Sequence, residues 1–454
     1  MNTTYDVKFS QIQQRSNRGT PVYVARWRVA GKEKSKSFRT KGLANAFISD
    51  LRQAAKTGEE FDVATGLPVS MLAPESRGPT FLEFAQEYVL RRWSTSAART
   101  RETDAYALLS LIPALVADVP RRPSYGDLRE VLRVHALLPE KRRVTLTSAQ
   151  AAALSWLERA SLPLTALGEA HILRTALASI SVTFAGTPAG ANTVRRKRAI
   201  LHHLLEHAVE QKAFSSNPLD GIKWTVPKAV TAVDPRTVVN PVQARQLLDA
   251  VPKVGRKRGQ RLKALFACIY YAALRPEEAA DLRLKNCTLP ESGWGLIVLE
   301  KARPQGTKRW TNSGETHEPR SLKHRADKET REIPIPPVLV AMLREHVADY
   351  GTAEDGRIFA TGTGGTYSSS AHSYVWQEAR KLALTPEQIA SSLAARPYDL
   401  RHAAVSLWLN AGVPAVEVAK RAGHSVDVLL RVYAKCMDGQ QEQINNKIND
   451  ALSD

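Results

Sequence analysis

The sequence predicts a mainly α-helical, multidomain protein with small β-sheets. At 454 residues the chain is too long for one ordinary hydrophobic core, which predicts two or three domains. Apolar residues at helical spacing recur through most of the chain, whereas β-prone runs are short. Two stretches that carry proline and glycine, 64–80 and 215–237, have the composition of linkers. They separate three predicted domains, residues 1–65, 80–224 and 238–454.

The charge of the chain predicts a polyanionic partner. Lysine and arginine number 64 against 45 acidic residues, which gives a formal charge of +19 and a pI near 9.9. Nucleic acid fits this balance better than a membrane surface does. No run of about eighteen apolar residues is present, and the first ten residues lack the apolar centre of a secretory signal, so we expect a cytoplasmic protein. Three widely spaced cysteines form no CxxC pair, which favours neither a zinc site nor a disulfide framework.

The first domain is predicted to be a small sheet followed by a helix. In "TPVYVARWRVAGKEKSKSFRT" alternating apolar residues indicate two strands that turn at Gly31, and "LANAFISDLRQAA" indicates a helix. Basic residues greatly outnumber acidic ones here. One reading is a solubilising domain. The reading we favour is a basic sheet that binds DNA through Arg26, Arg28, Lys34 and Lys36.

The second domain is predicted to be helical. "TFLEFAQEYVLRRW" begins with Thr80 as an N-cap and places apolar side chains on one face. "ANTVRRKRAILHHLLEHAVEQKAF" carries a basic run ahead of apolar residues in helical spacing. That run is either a solvated helix face or a set of phosphate contacts. Its members are Arg195, Arg196, Lys197 and Arg198.

Four polar or aromatic residues of the third domain each have an ordinary explanation. Arg275, in "YYAALRPEEAADLRL", follows an apolar helix and would normally be an ion-pair residue. Arg401, in "ARPYDLRHAAVSLWL", lies among residues that look buried, so its guanidinium must reach a cleft or a carboxylate. His424 follows Gly423 where a helix should end, which is a common place for a capping histidine. Tyr433 follows apolar residues and would normally pack in the core.

Together these four residues fit one reaction, the attack of a tyrosine oxygen on a phosphodiester. Two planar arginine forks and an imidazole donor can stabilise the charge that develops on the non-bridging oxygens. A covalent phosphotyrosine would store the energy of the cleaved bond, so neither ATP nor a metal or other cofactor is required. A further group must protonate the leaving 5′ oxygen. The stretch "SLKHRADKETREIPIP" offers Lys323 or Lys328, on a predicted hairpin, for this task.

Residues 238 to 440 resemble the tyrosine recombinases, or phage-type integrases, whose pattern is Arg, Lys, His-x-x-Arg, His/Trp and Tyr. His424 follows Arg401 by 23 positions and Tyr433 follows His424 by nine, as in that family. The resemblance implies that Arg275 and Arg401 bind the scissile phosphate, that His424 donates a hydrogen bond to it, and that Tyr433 attacks. It also implies a lysine general acid, for which Lys323, on the strand-like side of "SLKH", is preferred to Lys328.

The chain departs from the family pattern at Tyr398, where His or Lys is usual three residues before the second arginine. A phenol with an ordinary pKa of about 10 can donate a hydrogen bond to phosphate but is a poor base near neutral pH. Tyr398 therefore either holds the phosphate, while His424 or water takes the Tyr433 proton, or only packs. Glu278 is expected to orient Arg275 or a neighbouring helix.

The upstream domains resemble an arm-site DNA-binding domain (1–65) and a helical core-binding domain (80–224). The resemblance implies that these recombinases clamp duplex attachment sites as homotetramers, with an excisionase and a host DNA-bending protein as possible partners. The polar tail 438–454, with Ile444, Ile448 and Leu452 at intervals of four, is either a frayed helix or a segment that docks onto a neighbouring protomer.

The function that these features predict is site-specific DNA recombination by a mobile element such as a prophage, with DNA integration or excision through a 3′-phosphotyrosine intermediate. One alternative is a tyrosine-dependent DNA topoisomerase of the type IB kind, which shares the chemistry but does not need an arm-site domain or a docking tail. A second is a catalytically impaired DNA-binding regulator.

Overall fold

The computed structural model describes residues 2–17, 20–72, 78–225, 227, 232–322, 329–436, 445–446, 448–449 and 452. The chain divides into two compact units, which we call unit 1 and unit 2. Unit 1 comprises Met1–Thr95 and Thr103–Pro227, and unit 2 comprises Ser96–Glu102 and Lys228–Asp454. The division between residues 227 and 228 falls within the predicted linker 215–237. The predicted domain 1–65 lies in unit 1, and so does the predicted domain 80–224 apart from Ser96–Glu102.

The N-terminal part of unit 1 is an antiparallel sheet around one long central strand. The strands are β1 (Thr3–Thr4), β2 (Val7–Phe9), β3 (Gln13–Asn17), β4 (Thr20–Val29), β5 (Lys32–Phe38) and β6 (Phe61–Asp62). Both β2 and β3 pair with β4 along different stretches, and β5 also pairs with β4. Ala30 and Gly31 both have positive φ, 47° and 75°, the requirement of the tight turns that connect hairpins. The predicted hairpin with its turn at Gly31 is thus confirmed.

Helix α1 (Lys41–Lys56) packs on one face of this sheet. Its Ile48 and Leu51 share a hydrophobic core with Trp27 and with other apolar residues of β4. Residues that follow β6 also join this core. Trp27 Nε1 donates a hydrogen bond to the carbonyl of Gly66, and Leu67 and Met71 pack against the core. The prediction that the linker begins at residue 64 was therefore wrong, because the chain as far as Met71 packs on the N-terminal core.

The rest of unit 1 is helical, as predicted. The helices are α2 (Phe81–Arg92), α3 (Ala98–Leu111, whose first residues group with unit 2), α4 (Tyr125–Val131), α5 (Ser148–Ala160), α6 (Ala170–Ile180) and α7 (Ala191–Glu210). Thr80 caps α2 in a capping box with Glu83, because each side chain accepts a hydrogen bond from the other residue's backbone N–H. Phe81, Phe84 and Tyr88 are buried on one face of α2, which confirms the predicted amphipathic helix.

Unit 2 combines helices with short antiparallel strands. Its helices are α8 (Pro241–Ala250), α9 (Arg258–Tyr271), α10 (Pro276–Ala280), α11 (Pro337–Tyr350), α12 (Ser369–Ala383), α13 (Pro386–Ala390), α14 (Asp399–Asn410), α15 (Ala415–Ala422) and α16 (Val426–Tyr433). Its strands are β7 (Cys287–Thr288), β8 (Gly295–Leu299), β9 (Lys301–Ala302), β10 (Arg320–Ser321) and β11 (Arg331–Ile335). Strand β8 pairs with β11 and strand β9 pairs with β10, both antiparallel.

Two hydrophobic cores position the residues of the predicted site in unit 2. The larger core surrounds α9, which is buried along most of its length and ends just before Arg275. The second core joins α14, α15 and α16, and it contains Leu429 and Tyr433. Because α14 contributes Leu400 and Ala403 to the first core and Val405 to the second, it fixes Arg401 between the two.

Among the described residues, no helix has the length and apolar character needed to span a bilayer.

Candidate active site

Arg275 lies at the start of α10, where the chain turns away from the buried helix α9. Ala273, just before it, has a positive φ of 48°, and Pro276 occupies the first helical position, where a missing N–H costs nothing. The backbone N–H of Arg275 donates to Glu278 Oε2 over 2.8 Å, and its Nη1 donates to Glu278 Oε1 over 2.7 Å. Its Nη2 donates to the carbonyl of Gly423 over 2.9 Å. Glu278 therefore orients Arg275 toward the turn that carries His424, as predicted.

Glu278 is also bound by a second arginine that the sequence interpretation did not single out. Arg331, the first residue of β11, donates to both Glu278 oxygens over 3.0 and 2.6 Å. Arg275, Glu278 and Arg331 are all buried. Burial alone would raise the pKa of Glu278, but Arg331 and Arg275 outweigh it and hold that pKa at about 2. The carboxylate is thus ionised throughout the neutral range and links α10 to the sheet.

Arg401 is fully buried and joins three segments of unit 2. Its Nη1 donates to the carbonyl of Ala273, and its Nη2 donates to the carbonyl of Ala422 and to Nε2 of His424, the last over 2.8 Å. Burial and the nearby Arg275 lower the pKa of its guanidinium. Within the described chain its Nε is buried without a hydrogen-bond partner. Arg401 thus holds the loop before Arg275 against the end of α15 and keeps its Nε–H unused.

His424 follows Gly423, the residue that ends α15. Gly423 has φ +66° and ψ 50°, the left-handed conformation of many helix ends, and a Cβ there would collide with the guanidinium of Arg331. Burial, followed by Arg401, Arg275 and other neighbours, lowers the pKa of His424 to about 3. The imidazole is therefore neutral at neutral pH. Its Nδ1 is buried and, in the described part of the chain, has no partner.

Tyr433 is the last residue of α16 and is almost fully buried. Its ring lies 6.1 Å from the ring of His424, measured between centroids. Its hydroxyl forms a hydrogen bond of 2.9 Å with Nδ1 of His402. Burial raises the pKa of Tyr433, while Arg401 opposes that increase. The hydroxyl is therefore protonated at neutral pH and lies within the field of the arginines.

Tyr398 and His402 occupy one face at the start of α14, four residues apart. Their rings meet edge to face with centroids 5.1 Å apart, and Tyr398 interacts electrostatically with Arg275, Arg401 and Tyr433. The structure thus brings together Arg275, Tyr398, Arg401, His424 and Tyr433, and the roles assigned to them remain predictions. His402 and Arg331 are additional members. The signal for His402 was its helical spacing from Tyr398, which indicates a shared face.

The cluster has the electrostatic character of an anion site. Arg275, Arg331 and Arg401 carry three positive charges, and the carboxylate that binds two of them, Glu278, carries one negative charge. With His424 neutral, two positive charges are left over in a largely buried setting. An anion that enters would interact strongly with them because surrounding protein screens less than water does. A phosphodiester next to the Tyr433 hydroxyl has the opposite charge to this surplus.

The predicted general acids, Lys323 and Lys328, lie outside the described residues. The described residues on either side of them are Leu322 and Glu329. In the C-terminal tail, Ile444 also lies outside the described residues, whereas Ile448 and Leu452 are exposed. The roles of these residues remain predictions.

The four basic residues predicted to bind DNA on the N-terminal sheet lie on opposite faces of it. In the β4–β5 register Lys34 is opposite Trp27 and Lys36 is opposite Ala25, so both lysines are on the face that packs on α1. Lys34 donates to the Ala64 carbonyl, and Lys36 lies over the Phe47 ring, 4.7 Å from its centroid. Successive side chains along a strand point to opposite faces of the sheet. The arginines of β4, which alternate with Ala25 and Trp27, therefore lie on the face opposite these lysines.

Arg26 and Arg28 occupy the other face of the sheet, away from α1. Lys8 of β2 is paired with Arg28, and Arg15 of β3 is paired with Val22, so both belong to this face as well. Arg26 donates to Glu33 over 3.1 Å, which leaves the positive charges in excess. The basic face of the sheet therefore consists of Lys8, Arg15, Arg26 and Arg28, whereas Lys34 and Lys36 lie on the face that packs on α1. DNA binding by Arg26, Arg28, Lys34 and Lys36 remains a prediction.

Three members of the basic run on α7 point away from the core, and one does not. Arg195 and Arg196 are exposed and Arg198 is half-buried, whereas Lys197 is buried and its Nζ donates to Ser110 Oγ over 2.8 Å. Burial lowers the pKa of Lys197. Lys197 falls three residues after the buried Val194, at the helical period. The reading of Lys197 as a surface contact was thus wrong.

Among the described residues, one group has the arrangement of metal ligands, namely His202, Glu206 and Asp220 in unit 1. All three are at least partly exposed, and His202 and Asp220 already pair over 3.1 Å. The geometry is that of a surface ion pair, and we assign no ion to it.

Comparisons with known proteins found one family match and several similar solved structures. Residues 237–439 match the model of the phage integrase family. No curated protein matches the chain. Of the solved structures, it is similar to the Tn1549 transposon integrase in complex with a circular intermediate DNA, at 14% identity and a TM-score of 0.46, over 67% of this chain and 93% of that one.

Two further solved structures are similar at comparable levels. XerH site-specific recombinase bound to palindromic difH has 13% identity and a TM-score of 0.48, over 81% of this chain and 96% of that one. A lambda integrase tetramer bound to a Holliday junction has 11% identity and a TM-score of 0.46, over 91% and 95%. The family match covers every residue of the buried cluster. Residues 237–439 of the chain therefore form a domain of the phage integrase, or tyrosine recombinase, family.

Proposed function

We propose that this protein is a site-specific DNA recombinase that cuts and rejoins duplex DNA through a covalent bond to Tyr433. One observation carries the proposal. Arg401 binds His424, Arg275 binds the carbonyl of the adjacent Gly423, and the Tyr433 ring lies next to that of His424. A nucleophile and a surplus of positive charge thus occupy the same buried cluster.

Cleavage begins when the phenolic oxygen of Tyr433 attacks the scissile phosphorus. A bond forms between that oxygen and phosphorus, the bond from phosphorus to the 5′ oxygen breaks, and the DNA strand remains attached through a 3′-phosphotyrosine. The phosphodiester energy is retained, so a 5′ hydroxyl from another strand can reverse the step and exchange partners. No nucleotide hydrolysis is needed.

The unused donors of the cluster support binding of the non-bridging phosphate oxygens. Arg401 Nε and His424 Nδ1 are buried and have no hydrogen-bond partner in the described structure. Buried donors without partners are costly, and an anion that accepts from them removes that cost. Hydrogen bonds that strengthen as charge develops on the phosphate would lower the barrier. Arg275 contributes charge to the same place.

A lysine of the segment between β10 and β11 is proposed to protonate the leaving 5′ oxygen. We prefer Lys323 to Lys328, as in the sequence interpretation. A 5′-thiolate leaves without a proton, so a substrate with sulfur at that position separates the two. We expect sulfur to restore cleavage to Lys323→Ala. Restoration in Lys328→Ala, with none in Lys323→Ala, would exchange the two roles.

The proposed DNA contacts outside the cluster are the basic face of the sheet and the exposed end of α7, with Arg195, Arg196 and Arg198. We propose that four copies act on two paired attachment sites in the cytoplasm of a host that carries a mobile element such as a prophage. The tail 438–454 would dock onto a neighbouring copy, and an excisionase and a DNA-bending protein would set the direction of recombination. The resemblance of residues 238 to 440 to the tyrosine recombinases motivates these finer assignments.

A trapping experiment tests the proposed function. The probe is a library of duplexes with a randomised centre and a nick close to each potential cleavage position, so that the short released strand diffuses away and the covalent complex accumulates. We expect wild type and Tyr374→Phe, at an exposed tyrosine of α12, to form the complex, and Tyr433→Phe to bind the same duplexes without forming it. Sequencing the trapped DNA would identify the preferred site. Trapping by Tyr433→Phe at the wild-type yield would contradict the proposal.

A supercoiled plasmid without the selected site distinguishes recombination from relaxation. A topoisomerase would relax such a plasmid efficiently. We expect little relaxation of it, and recombination between two selected sites placed on one plasmid.

A further inference from the structure

The hydroxyl of Tyr433 has a specific hydrogen-bond partner, His402. Nδ1 of His402 lies 2.9 Å from Tyr433 Oη, and the two ring centroids are 5.6 Å apart. On its other side His402 meets the ring of Tyr398 edge to face. Because α14 belongs to both hydrophobic cores of unit 2, the imidazole is fixed between two tyrosines, with Nδ1 against the reacting oxygen.

Tyr433 needs an acceptor for its proton when it attacks phosphorus. Its side chain is about 1% exposed, so bulk water has little access to it. Burial also raises the pKa of the phenol, which makes spontaneous loss of the proton rarer than for an exposed tyrosine. The acceptor therefore has to be a group within hydrogen-bond reach of Oη.

The other candidates in the cluster are less suited than His402. Tyr398 is a phenol, a poor acceptor near neutral pH. Nε2 of His424 is occupied by the hydrogen bond from Arg401, and the ring centroid is 6.1 Å from that of Tyr433. The arginines have no lone pair to offer. Among the described residues, His402 is the one with a nitrogen against Oη.

His402 is a neutral imidazole in this setting. Burial lowers its pKa to about 4; Asp399 raises it, while Arg396 and Arg401 lower it further. With its proton on Nε2, the neutral ring presents a lone pair at Nδ1, and Tyr433 then donates the hydrogen bond between them. The geometry and the protonation state are those of a general base before reaction.

We propose that His402 is the general base that accepts the proton of Tyr433 during strand cleavage. It would take this role instead of the residue three positions before Arg401, which is Tyr398 in this chain. As the bond from Oη to phosphorus forms and the bond to the 5′ oxygen breaks, the phenolic proton moves to Nδ1 and His402 becomes an imidazolium. In rejoining, Tyr433 leaves phosphorus and takes the proton back. This inference rests on the proposed nucleophilic role of Tyr433.

The first test is the rate at which variants form the covalent complex in a single turnover on the duplex selected by trapping. We expect His402→Ala to lower that rate by about 10²–10⁴-fold, the range of general-base contributions, with DNA affinity within about twofold of wild type. His402→Asn keeps a polar group near the Nδ1 position but cannot take the proton, so it should be similarly slow while it preserves packing. His171→Ala, at an exposed histidine of α6, should react at the wild-type rate.

Two readouts separate proton transfer from a purely structural role. Added imidazole should restore part of the rate to His402→Ala by filling the space left by the ring. Replacing Tyr433 with 3,5-difluorotyrosine, a more acidic phenol, should reduce the loss of rate caused by His402→Ala. A weaker base is then sufficient to accept the proton. A structural role predicts neither result.

The outcomes distinguish this inference from the proposed function. If wild type forms the covalent complex and His402→Ala forms it at the same rate, His402 is not the base although Tyr433 remains the nucleophile. His402→Ala could instead react slowly, without rescue by imidazole, and lose as much rate in the difluorotyrosine protein as in the tyrosine protein. That result would make His402 a positioning residue. If wild type itself forms no complex with any duplex, the proposed function fails first.

Discussion

Arg401 donates a hydrogen bond from Nη2 to Nε2 of His424 over 2.8 Å. Since a guanidinium cannot accept, Nε2 must be the unprotonated nitrogen, and the proton of neutral His424 lies on Nδ1. Nδ1 is buried and, within the described structure, has no partner. Arg401 thereby determines that Nδ1 is the nitrogen of His424 that is free to donate a hydrogen bond to a ligand.

This relationship predicts unequal effects for two substitutions of His424. The amide nitrogen of asparagine can occupy the position of Nδ1, whereas that of glutamine lies nearer the position of Nε2. We expect His424→Gln to slow covalent-complex formation by about 10²–10³-fold, the usual loss for one donor to a developing oxyanion, and His424→Asn to slow it distinctly less. Single-turnover rates on one nicked duplex make the comparison. A faster glutamine variant would reverse the assignment of the proton.

Glu278 is predicted to be the main support of both Arg275 and Arg331. Glu278→Gln keeps the shape of the side chain but leaves two buried guanidinium groups without their counter-ion. We expect this substitution to lower the free energy of unfolding by about 3–5 kcal/mol at pH 7, the cost of breaking a buried ion pair. Chemical denaturation measures it. A loss below about 1 kcal/mol would show that the arginines find other partners.

Acid should remove the contribution of Glu278 in the wild-type protein. Its pKa in the folded state is about 2, below the ordinary 4.5 of a glutamate, so the folded state favours the ionised form. The stabilisation is complete above about pH 4.5 and is lost as the pH falls toward 2. Between these values the stability of Glu278→Gln should depend less steeply on pH than that of wild type. Parallel slopes would contradict the assignment.

Gly423 is predicted to be needed for two reasons, its left-handed backbone and its contact with Arg331. Gly255 offers a matched control, because its φ is +63° and nothing lies within 4 Å of a Cβ built there. Gly255→Ala should lose about 1–2 kcal/mol of stability from backbone strain alone. Gly423→Ala should lose more and should also cleave DNA more slowly, since Arg331 must move. Equal losses in stability and no loss of cleavage would show that the contact is dispensable.

The sequence predicted the parts of the fold that depend on local pattern. Thr80 capped the amphipathic helix as expected, and the turn at Gly31 joined the two expected strands. The sequence also predicted that Arg401, His424 and Tyr433 would meet. This prediction came from the family resemblance, which specifies the number of residues between them. Helical periodicity alone does not predict contacts between residues on separate helices. Lys323 and Lys328 remain untested predictions.

Other features depended on tertiary contacts that a linear pattern does not contain. Lys34 and Arg26 are both basic strand residues, and only the strand register places them on opposite faces. Lys197 belongs to a basic run, but packing turned it toward Ser110. Arg331 was missed because its partner, Glu278, is 53 positions earlier in the chain. His402 was missed because its contact with Tyr433 spans two helices.

The most direct test of the central claim is to identify the residue that carries the DNA. After trapping on the selected nicked duplex, nuclease treatment and trypsin, mass spectrometry should find the residual nucleotide on the peptide Val432–Lys435, attached to Tyr433. A nucleotide attached to any other residue of the chain would contradict the account.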